Sequence, residues 1–437
     1  MKKILRKLIP EKIILAYHYM QSLAAAIIYG FPAKNMIIVG VTGTKGKTSA
    51  INYVWSVLNS NGIKTGVIST ANVKIGDKEE LNKYHMTMPG RFLIQKLLKK
   101  MKNENCKYCL VETTSEGLKQ FRHIGVYYDI AVFTNLTPEH LPSHEGSFEK
   151  YKEAKDLMFK YLEKSSSKYI NDQAINKIII ANNDSEFADF YLNHNVDKKI
   201  TFSMKNKSDF RARLIKESEK GINFIVNNVE YKSHIMGSFN IYNALPAIII
   251  GKEAGLDNEQ IKEGISNLSV IPGRMEEINL NQDFKVLVDY AHEEQSITNV
   301  LKTANKVKDI NGKVIILLGA EGGGRDTKKR SIMGKLSAEL ADYVIISDVD
   351  PYEDDRIKII EDIAVIAEQN GKIRDKNLFT IADRKEGIKK ALQLATNGDI
   401  VLITGKGAEQ SITINGKKSF WDDRTVTKEE LHKLLKS

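Results

Sequence analysis

Residues 40–49 read GVTGTKGKTS and follow the apolar run Met36–Val39. A strand, a glycine-rich turn, then a lysine and two hydroxyls opening a helix is the order a phosphate-binding loop requires. Gly43 and Gly46 let backbone N–H groups approach phosphate oxygens, Lys47 supplies a point charge, and Thr48 offers a hydroxyl to Mg²⁺. The helix N-terminus adds its partial positive charge. The general nucleotide-loop spacing places glycine at position 41, where this chain has Val41. The loop is therefore a variant of the form GTxGKT(S).

Further chemistry-bearing residues follow strand-like runs. Glu112 ends the run Tyr108–Val111 and opens ETTSEG. A carboxylate at the carboxyl end of a strand suits Mg²⁺, at the edge where open α/β sheets bind ligands. His140 and His144, with Glu139, lie beyond a run that ends at Thr134-Asn135. Histidines placed there can ligate a metal or orient a phosphate, although a pair of loop histidines is often incidental. Lys155 falls on a helical stretch from about Ser147, among Ala154, Leu157 and Met158.

The elements that must position these groups alternate along the chain. Residues 1–34 read as a short helical lead-in, ending near Phe31-Pro32. Strands are expected at Met36–Gly40, Lys64–Ser69, Tyr108–Glu112, Ile130–Thr134 and Lys177–Asn182, with amphipathic helices at Ser49–Asn61, Arg91–Asn103 and Ser147–Lys164. This alternation predicts an α/β fold, a central P-loop domain over 35–270 with a mostly parallel sheet. Residues 200–236 read instead as a small antiparallel patch. After Pro272-Gly273 a second series begins, with strands at Phe284–Asp289, Val314–Gly319, Tyr343–Ser347, Asn377–Thr380 and Asp399–Thr404. It predicts a C-terminal Rossmann-like α/β domain over 271–437.

Composition narrows the classes. The 437 residues are 42% hydrophobic and 27% charged, as in a soluble globular protein of two or three domains. Net charge is +10, with lysines scattered and no arginine-rich arm or aromatic-interleaved basic stripe. That pattern suits anionic small molecules and gives nucleic acid no motif. Cys106 and Cys109, the two cysteines, are too few for a zinc site and run into an apolar strand, so buried thiols in a reducing cytoplasm are expected. Ile13–Gly30 is interrupted by His18, Gln21 and Ser22 and is not a clean membrane span. With the basic start MKKILRKLIPEKI, residues 1–30 read as a helix packed on the next domain, with peripheral membrane contact as the alternative.

Taken in order, GVTGTKGKTS, ETTS, FTNLTPEHL, YKEAK, GSFNIYNALPA (237–247), IPGRMEEI (271–278), VDYAH (288–292), GGGRDTKKRSIMG (322–334), SDVDPYEDD (347–355), ADRKEGI (382–388), DIVLITGKGAE (399–409) and FWDDR (420–424) resemble the Mur ligase family. Within it the similarity is to the branch that makes the UDP-N-acetylmuramoyl-tripeptide. The resemblance implies an ATP-dependent ligase that joins an amino acid to a carboxylate through an acyl phosphate, in cell-wall peptide assembly. It implies that Gly43, Thr44, Lys45, Gly46, Lys47, Thr48 and Ser49 hold ATP phosphates and Mg²⁺, and that Glu112 and His140 bind a second Mg²⁺. Lys155 matches a lysine that the family carbamylates, so Lys47, Glu112, His140 and Lys155 form the implied catalytic set. Asn240 and Asn243 match residues near adenine, and Arg274 and Asp289 match groups on phosphate and ribose. Domain closure would bring these last two to the ATP. Thr87, Thr114, Ser115, Arg122, His292, Arg325, Asp350 and Glu409 fall to the substrates, the peptide-carboxylate acceptor and the amino acid, with Thr87 in a segment on the sugar-peptide and Arg325 and Glu409 on the incoming amino acid. A monomer or weak oligomer in the cytoplasm is implied.

Three departures affect substrates more than ATP. About 35 residues precede the phosphate loop, too few for the family's uridine-nucleotide domain. The acceptor therefore has a non-nucleotide γ-carboxylate as its alternative. Where the family's diaminopimelate-binding arginine would stand, this chain has Tyr352 after Asp350-Pro351. A tyrosine makes no bidentate pair with a distal carboxylate. The acidic run Asp348, Asp350, Glu353, Asp354 and Asp355 then favours lysine or another amine. The segments GKGAE and ETTSE each lack a histidine that the family carries. A subunit activating a carboxylate for an amidotransferase is a further alternative, weakened because that branch carries a four-cysteine zinc insert.

Overall fold

The structure is a computed structural model and describes residues 10–436 other than His85 and His140. The chain divides into two compact units. One comprises residues 1–213, 224–231 and 241–268, and the other 214–223, 232–240 and 269–437.

The first unit is built on strands β1 (Ile37–Thr42), β2 (Thr65–Ile68), β3 (Asn72–Ile75), β4 (Lys78–Leu81), β5 (Tyr108–Glu112) and β6 (Ile130–Phe133). A short hairpin, β7 (Lys168–Ile170) and β8 (Gln173–Ile175), stands apart. The sheet continues with β9 (Ile178–Asn182), β10 (Lys198–Ser203), β11 (Phe210–Ser218), β12 (Gly221–Val226) and β13 (Val229–Ser233). Its order is β13-β12-β11-β10-β9-β6-β1-β5-β2-β3-β4. The pairs from β2 to β11 are parallel, and β2-β3 and β3-β4 are antiparallel. Residues 200–236, expected as an antiparallel patch, join this sheet, and their first pair is parallel, Phe202 with Phe210. The central strands are buried throughout, which is why they read as continuous Val/Ile runs.

Strand β1 lies between β5 on one side and β6 on the other. The crevice at its carboxyl end is therefore a topological switch point, where such sheets bind ligands. Gly40 within β1 lets the layers close: a Cβ there would lie 2.7 Å from Met158 Sδ and from the Tyr128 ring. The helices used below are α1 (Glu11–Ile28), α2 (Lys47–Ser60), α3 (Arg91–Asn103), α4 (Ser115–Lys119) and α5 (Phe148–Lys164).

The second unit has a six-stranded sheet of β14 (Glu276–Glu277), β15 (Lys285–Asp289), β16 (Val314–Leu318), β17 (Tyr343–Ile346), β18 (Leu378–Thr380) and β19 (Ile400–Thr404), in the order β14-β15-β19-β16-β17-β18. All its pairs are parallel except β14-β15. Apolar clusters fill both faces, one containing Leu287, Ile316 and Leu402, the other Val286, Ile315 and Val401. Alternate residues of one strand serve opposite faces. A hairpin of β20 (Ser411–Ile414) and β21 (Lys417–Phe420) follows.

Candidate active site

In the first unit β1 delivers the chain to Thr42, and the loop then wraps back over the strand end. Gly43 (φ 146°) and Gly46 (φ 82°) take backbone conformations that side chains rarely adopt. A Cβ on Gly43 would lie 2.0 Å from Thr134 Oγ1, and one on Gly46 2.3 Å from Asn243 Oδ1. Both glycines are thus required by geometry. The loop is fixed to the end of β6 by Thr44 N donating to the Asn135 carbonyl, Lys45 N to Asn135 Oδ1, and Thr134 Oγ1 to the Lys45 carbonyl. The Lys47 ammonium curls over the loop, donating to the Gly43 and Thr44 carbonyls at 3.1 and 3.0 Å. Lys45 points elsewhere, to Glu139 at 2.8 Å. Ser49 is buried one residue beyond Thr48 in the first turn of α2.

Thr48 Oγ1 donates to Glu112 Oε2 at 3.0 Å, and the same oxygen accepts from Thr70 N at 2.7 Å. Thr70 Oγ1 in turn donates to Thr87 Oγ1 at 2.9 Å. A continuous line of polar groups therefore joins the phosphate loop to Thr87. Thr70 has no sequence signature. It was reachable only through its place after β2, beside the end of β5.

The remaining acceptor candidates surround this line. Thr114 caps α4, accepting from Gly117 N. Ser115 Oγ lies 3.0 Å from His144 Nε2. His144 is fully buried against the Tyr151 ring, and burial, followed by the charges of Lys119 and Lys155, lowers its pKa to about 4. The structure thus pairs His144 with Ser115. Tyr151 Oη lies 3.3 Å from Thr44 Oγ1. The Arg122 guanidinium donates to the Met88 carbonyl and to Gln120 Oε1. His140 lies outside the described residues.

Lys155 is buried and donates to the Gly43 carbonyl at 2.8 Å, with its ammonium 4.4 Å from the Tyr151 ring centre. Burial, then the nearby Lys47 charge, holds its pKa well below the usual lysine range. Burial there disfavours the charged form of the amine beside the phosphate loop. Among the described residues no group of three or more His, Cys, Asp and Glu forms a metal cage. Thr48 and Glu112 offer hard oxygen ligands that suit Mg²⁺ shared with phosphate oxygens. Asn243 stands over Gly46.

The second unit holds the other candidates. Asn240 donates to the Met236 carbonyl. Arg274 lies over the Tyr290 ring at 4.6 Å. Asp289, at the end of β15, accepts from Met275 N and Ala291 N, both at 2.7 Å. His292 Nδ1 lies 2.6 Å from the Tyr290 carbonyl. A dense charge network lies beyond the strand ends: Lys406 joins Asp350 (2.6 Å) and Glu409 (2.8 Å), and Tyr290 Oη donates to Glu409 (3.2 Å). Burial opposes the charge on Lys406, but Glu409 and Asp350 outweigh it and raise its pKa, while burial raises that of Glu409. Lys329 bridges Glu321 and Glu293. Burial opposes ionisation of Glu321, yet His292, Lys329 and Arg325 together hold it well below the usual carboxylate range. Arg325 interacts with Glu321 and hydrogen-bonds Tyr352.

The acidic run 348–355 is not an open anionic recess. Asp348 pairs with Arg356, and Asp350 takes Lys406 and Thr413 N. Asp354 accepts from Gly323 N, and Asp355 caps the helix Arg356–Gln369. Acidity in this stretch therefore gives no support to a cationic incoming amino acid. The FWDDR and ADRKEGI segments also have a structural duty. Arg384 and Asp423, both buried, meet at 2.6 Å, and the same guanidinium holds the Asp348 and Thr404 carbonyls. It thereby fixes the loops after β17 and β19 that carry Asp350 and Lys406. Cys106 and Cys109 are buried free thiols, with burial raising the pKa of both.

A switch-point phosphate loop, with a carboxylate and a buried lysine behind it, marks the chain as a nucleotide-dependent α/β protein. Residues 41–251 match the family model described as Mur ligase middle domain, and residues 273–407 that described as Mur ligase, glutamate ligase domain. A UDP-N-acetylmuramoyl-L-alanyl-D-glutamate--2,6-diaminopimelate ligase of Geobacillus kaustophilus is 33% identical, the match covering 93% of this chain and 81% of that protein. One from Bacteroides fragilis is 35% identical over 93% and 80%. A solved structure of a ligase of that name is 28% identical, with a TM-score of 0.61 over 92% of this chain and 79% of the other. The chain belongs to the Mur ligase family.

Proposed function

We propose that this chain is an ATP- and Mg²⁺-dependent acid–amino-acid ligase that extends a muramyl-peptide in peptidoglycan precursor synthesis. The observation that carries the reading is the polar line Lys47 loop–Thr48–Glu112–Thr70–Thr87. It sets groups suited to a γ-phosphate directly against groups suited to a carboxylate acceptor. Relatives at 33–35% identity bear the name of a ligase adding diaminopimelate to UDP-N-acetylmuramoyl-L-alanyl-D-glutamate.

The mechanism follows from charge. A carboxylate is a poor electrophile, so the acceptor carboxylate attacks the γ-phosphorus of ATP, ADP departs, and an acyl phosphate forms. The amine of the incoming amino acid then attacks the acyl carbon, loses a proton, and expels inorganic phosphate. Lys47 and the N–H groups opening α2 stabilise the transferring phosphoryl group. Thr48 and Glu112 would hold Mg²⁺, which neutralises phosphate charge when bound. Thr87, Thr114, Ser115 and Arg122 orient the acceptor, with His144 holding Ser115. Asn240, Asn243, Arg274 and Asp289 serve the nucleoside and phosphates, and His292, Arg325, Asp350 and Glu409 the amino acid.

Lys155 is read as a carbamate in the working enzyme. A buried lysine held below its usual pKa reaches its neutral form more readily, and that form adds CO₂ with release of a proton. The resulting anion would supply a ligand for a second Mg²⁺ with Glu112 and His140. Tyr352, in place of an arginine, argues against tight selection of a distal carboxylate on the incoming amino acid.

The test is phosphate release from ATP with acceptors and amino acids offered singly and in pairs. Release only when a muramyl-peptide and an amino acid are both present supports the reading. A response to another γ-carboxylate alone, or a requirement for glutamine and a second protein, contradicts it.

A further inference from the structure

Helix α1 is apolar on two sides, and among the described residues one of them is covered. Ser22, Ala25 and Ala26 are buried, and Tyr19 stands edge-on to Phe121. A Cβ on Gly125 would lie 2.6 Å from Ala26 Cβ, so this face sits hard against the first unit. At 100° per residue the opposite stripe comprises Ile13, Ala16, Tyr17, Met20, Leu23, Ala24, Ile27 and Ile28. Met20 is 60% exposed, Ile27 58% and Ile28 69%. From Ile13 to Ile28 no residue is charged. Surface helices typically turn a polar face to water, so an exposed uncharged stripe of this length is suited to docking.

Charge around the stripe selects that partner. The twelve residues that lead into it contain Lys2, Lys3, Arg6, Lys7 and Lys12 against Glu11. Helix α3 packs beside α1. Its exposed Lys96 and Lys100 make no ion pair among the described residues. An uncharged stripe of aliphatic residues and tyrosine, preceded in sequence by a basic run, matches the interface of an anionic bilayer. Apolar side chains enter the acyl boundary there, and lysines meet phosphate headgroups. No helix is long and apolar enough to cross a membrane among the described residues, so the helix would lie in the surface plane.

We propose that α1 docks this protein on anionic lipid bilayers through the Ile13–Ile28 stripe. Docking does not depend on the ligase reading.

The experiment is co-sedimentation of the full chain with phosphatidylcholine vesicles and with vesicles containing phosphatidylglycerol, at low and high salt. The expected result is binding to the anionic vesicles that weakens with salt. M20D/I27D should lower that partition by about tenfold or more, with an unchanged far-ultraviolet dichroism spectrum. Absence of wild-type binding to anionic vesicles overturns the proposal, as does M20D/I27D binding like wild type. So does a dimer in sedimentation velocity that the two substitutions dissociate while vesicles remain unbound, since the stripe would then belong to a second copy. Phosphate release measured on the same preparations separates failure of the ligase reading from failure of docking.

Discussion

The Lys155 ammonium donates to the Gly43 carbonyl at 2.8 Å, which places a buried amine directly beneath the phosphate loop. The two residues are 112 positions apart in sequence, and only the packing of α5 across β1 and β6 brings them together. A lysine whose charged form burial disfavours can serve there as a reactive amine as well as a loop support. Lys155→Ala should lower phosphate release by about 10²-fold, the scale of losing one charge-stabilising group. Short carboxylic acids should restore part of the activity, and ¹³C-bicarbonate should give wild type, but not the variant, a carbamate resonance. Full activity in the variant, or no rescue and no resonance, would remove the carbamate from the account.

Tyr352 hydrogen-bonds Arg325 and lies against Gly323. Tyr352→Arg would place a guanidinium where a distal carboxylate can be held bidentately. The ratio of kcat/KM for diaminopimelate over lysine should rise about tenfold or more, roughly one charge-assisted pair. Competition assays with both amino acids measure it, and an unchanged ratio would separate position 352 from substrate choice.

Arg384 and Asp423 form a buried bidentate pair at the base of two site loops. Arg384→Ala leaves a carboxylate buried without its guanidinium and should cost about 3–5 kcal/mol in the second unit. Arg384→Leu/Asp423→Leu should cost less than the single change, because no charge is stranded. Denaturant unfolding of the three proteins decides this, and a double variant at least as unstable as the single would contradict it.

Burial lowers the pKa of both His123 and His144 to about 4. The unfolded chain binds protons at the ordinary histidine pKa, before the folded chain does, so unfolding gains protons as pH falls from about 6.5 to about 4. The stability held by the two neutral rings is complete above that window and declines through it. Urea midpoints should fall on acidification, and His123→Leu should flatten the decline. An equal slope in the variant would exclude His123 as a contributor.

Much of the fold was legible because its parallel strands are buried on both faces and so appear as unbroken β-branched runs, as at Ile37–Val39 and Ile178–Ile180. The hairpin β3-β4 was not, since β4 reads KEEL and is largely exposed. In the site, the phosphate loop was legible because it is local in sequence. The partners were not. Asp350 reads as part of an acidic run, yet its counter-ion Lys406 is 56 residues away. His144 reads as one of two loop histidines with no evident partner, and folding pairs it with Ser115. Sequence supplies the residue types, and only the fold decides which charge meets which.

The central claim is that the acceptor carboxylate is activated as an acyl phosphate. The most direct measurement uses a muramyl-peptide whose terminal carboxylate carries ¹⁸O. Turnover with ATP and an amino acid should transfer one ¹⁸O into the inorganic phosphate released, leaving ADP unlabelled. Unlabelled phosphate, or label appearing in AMP with release of pyrophosphate, would contradict it.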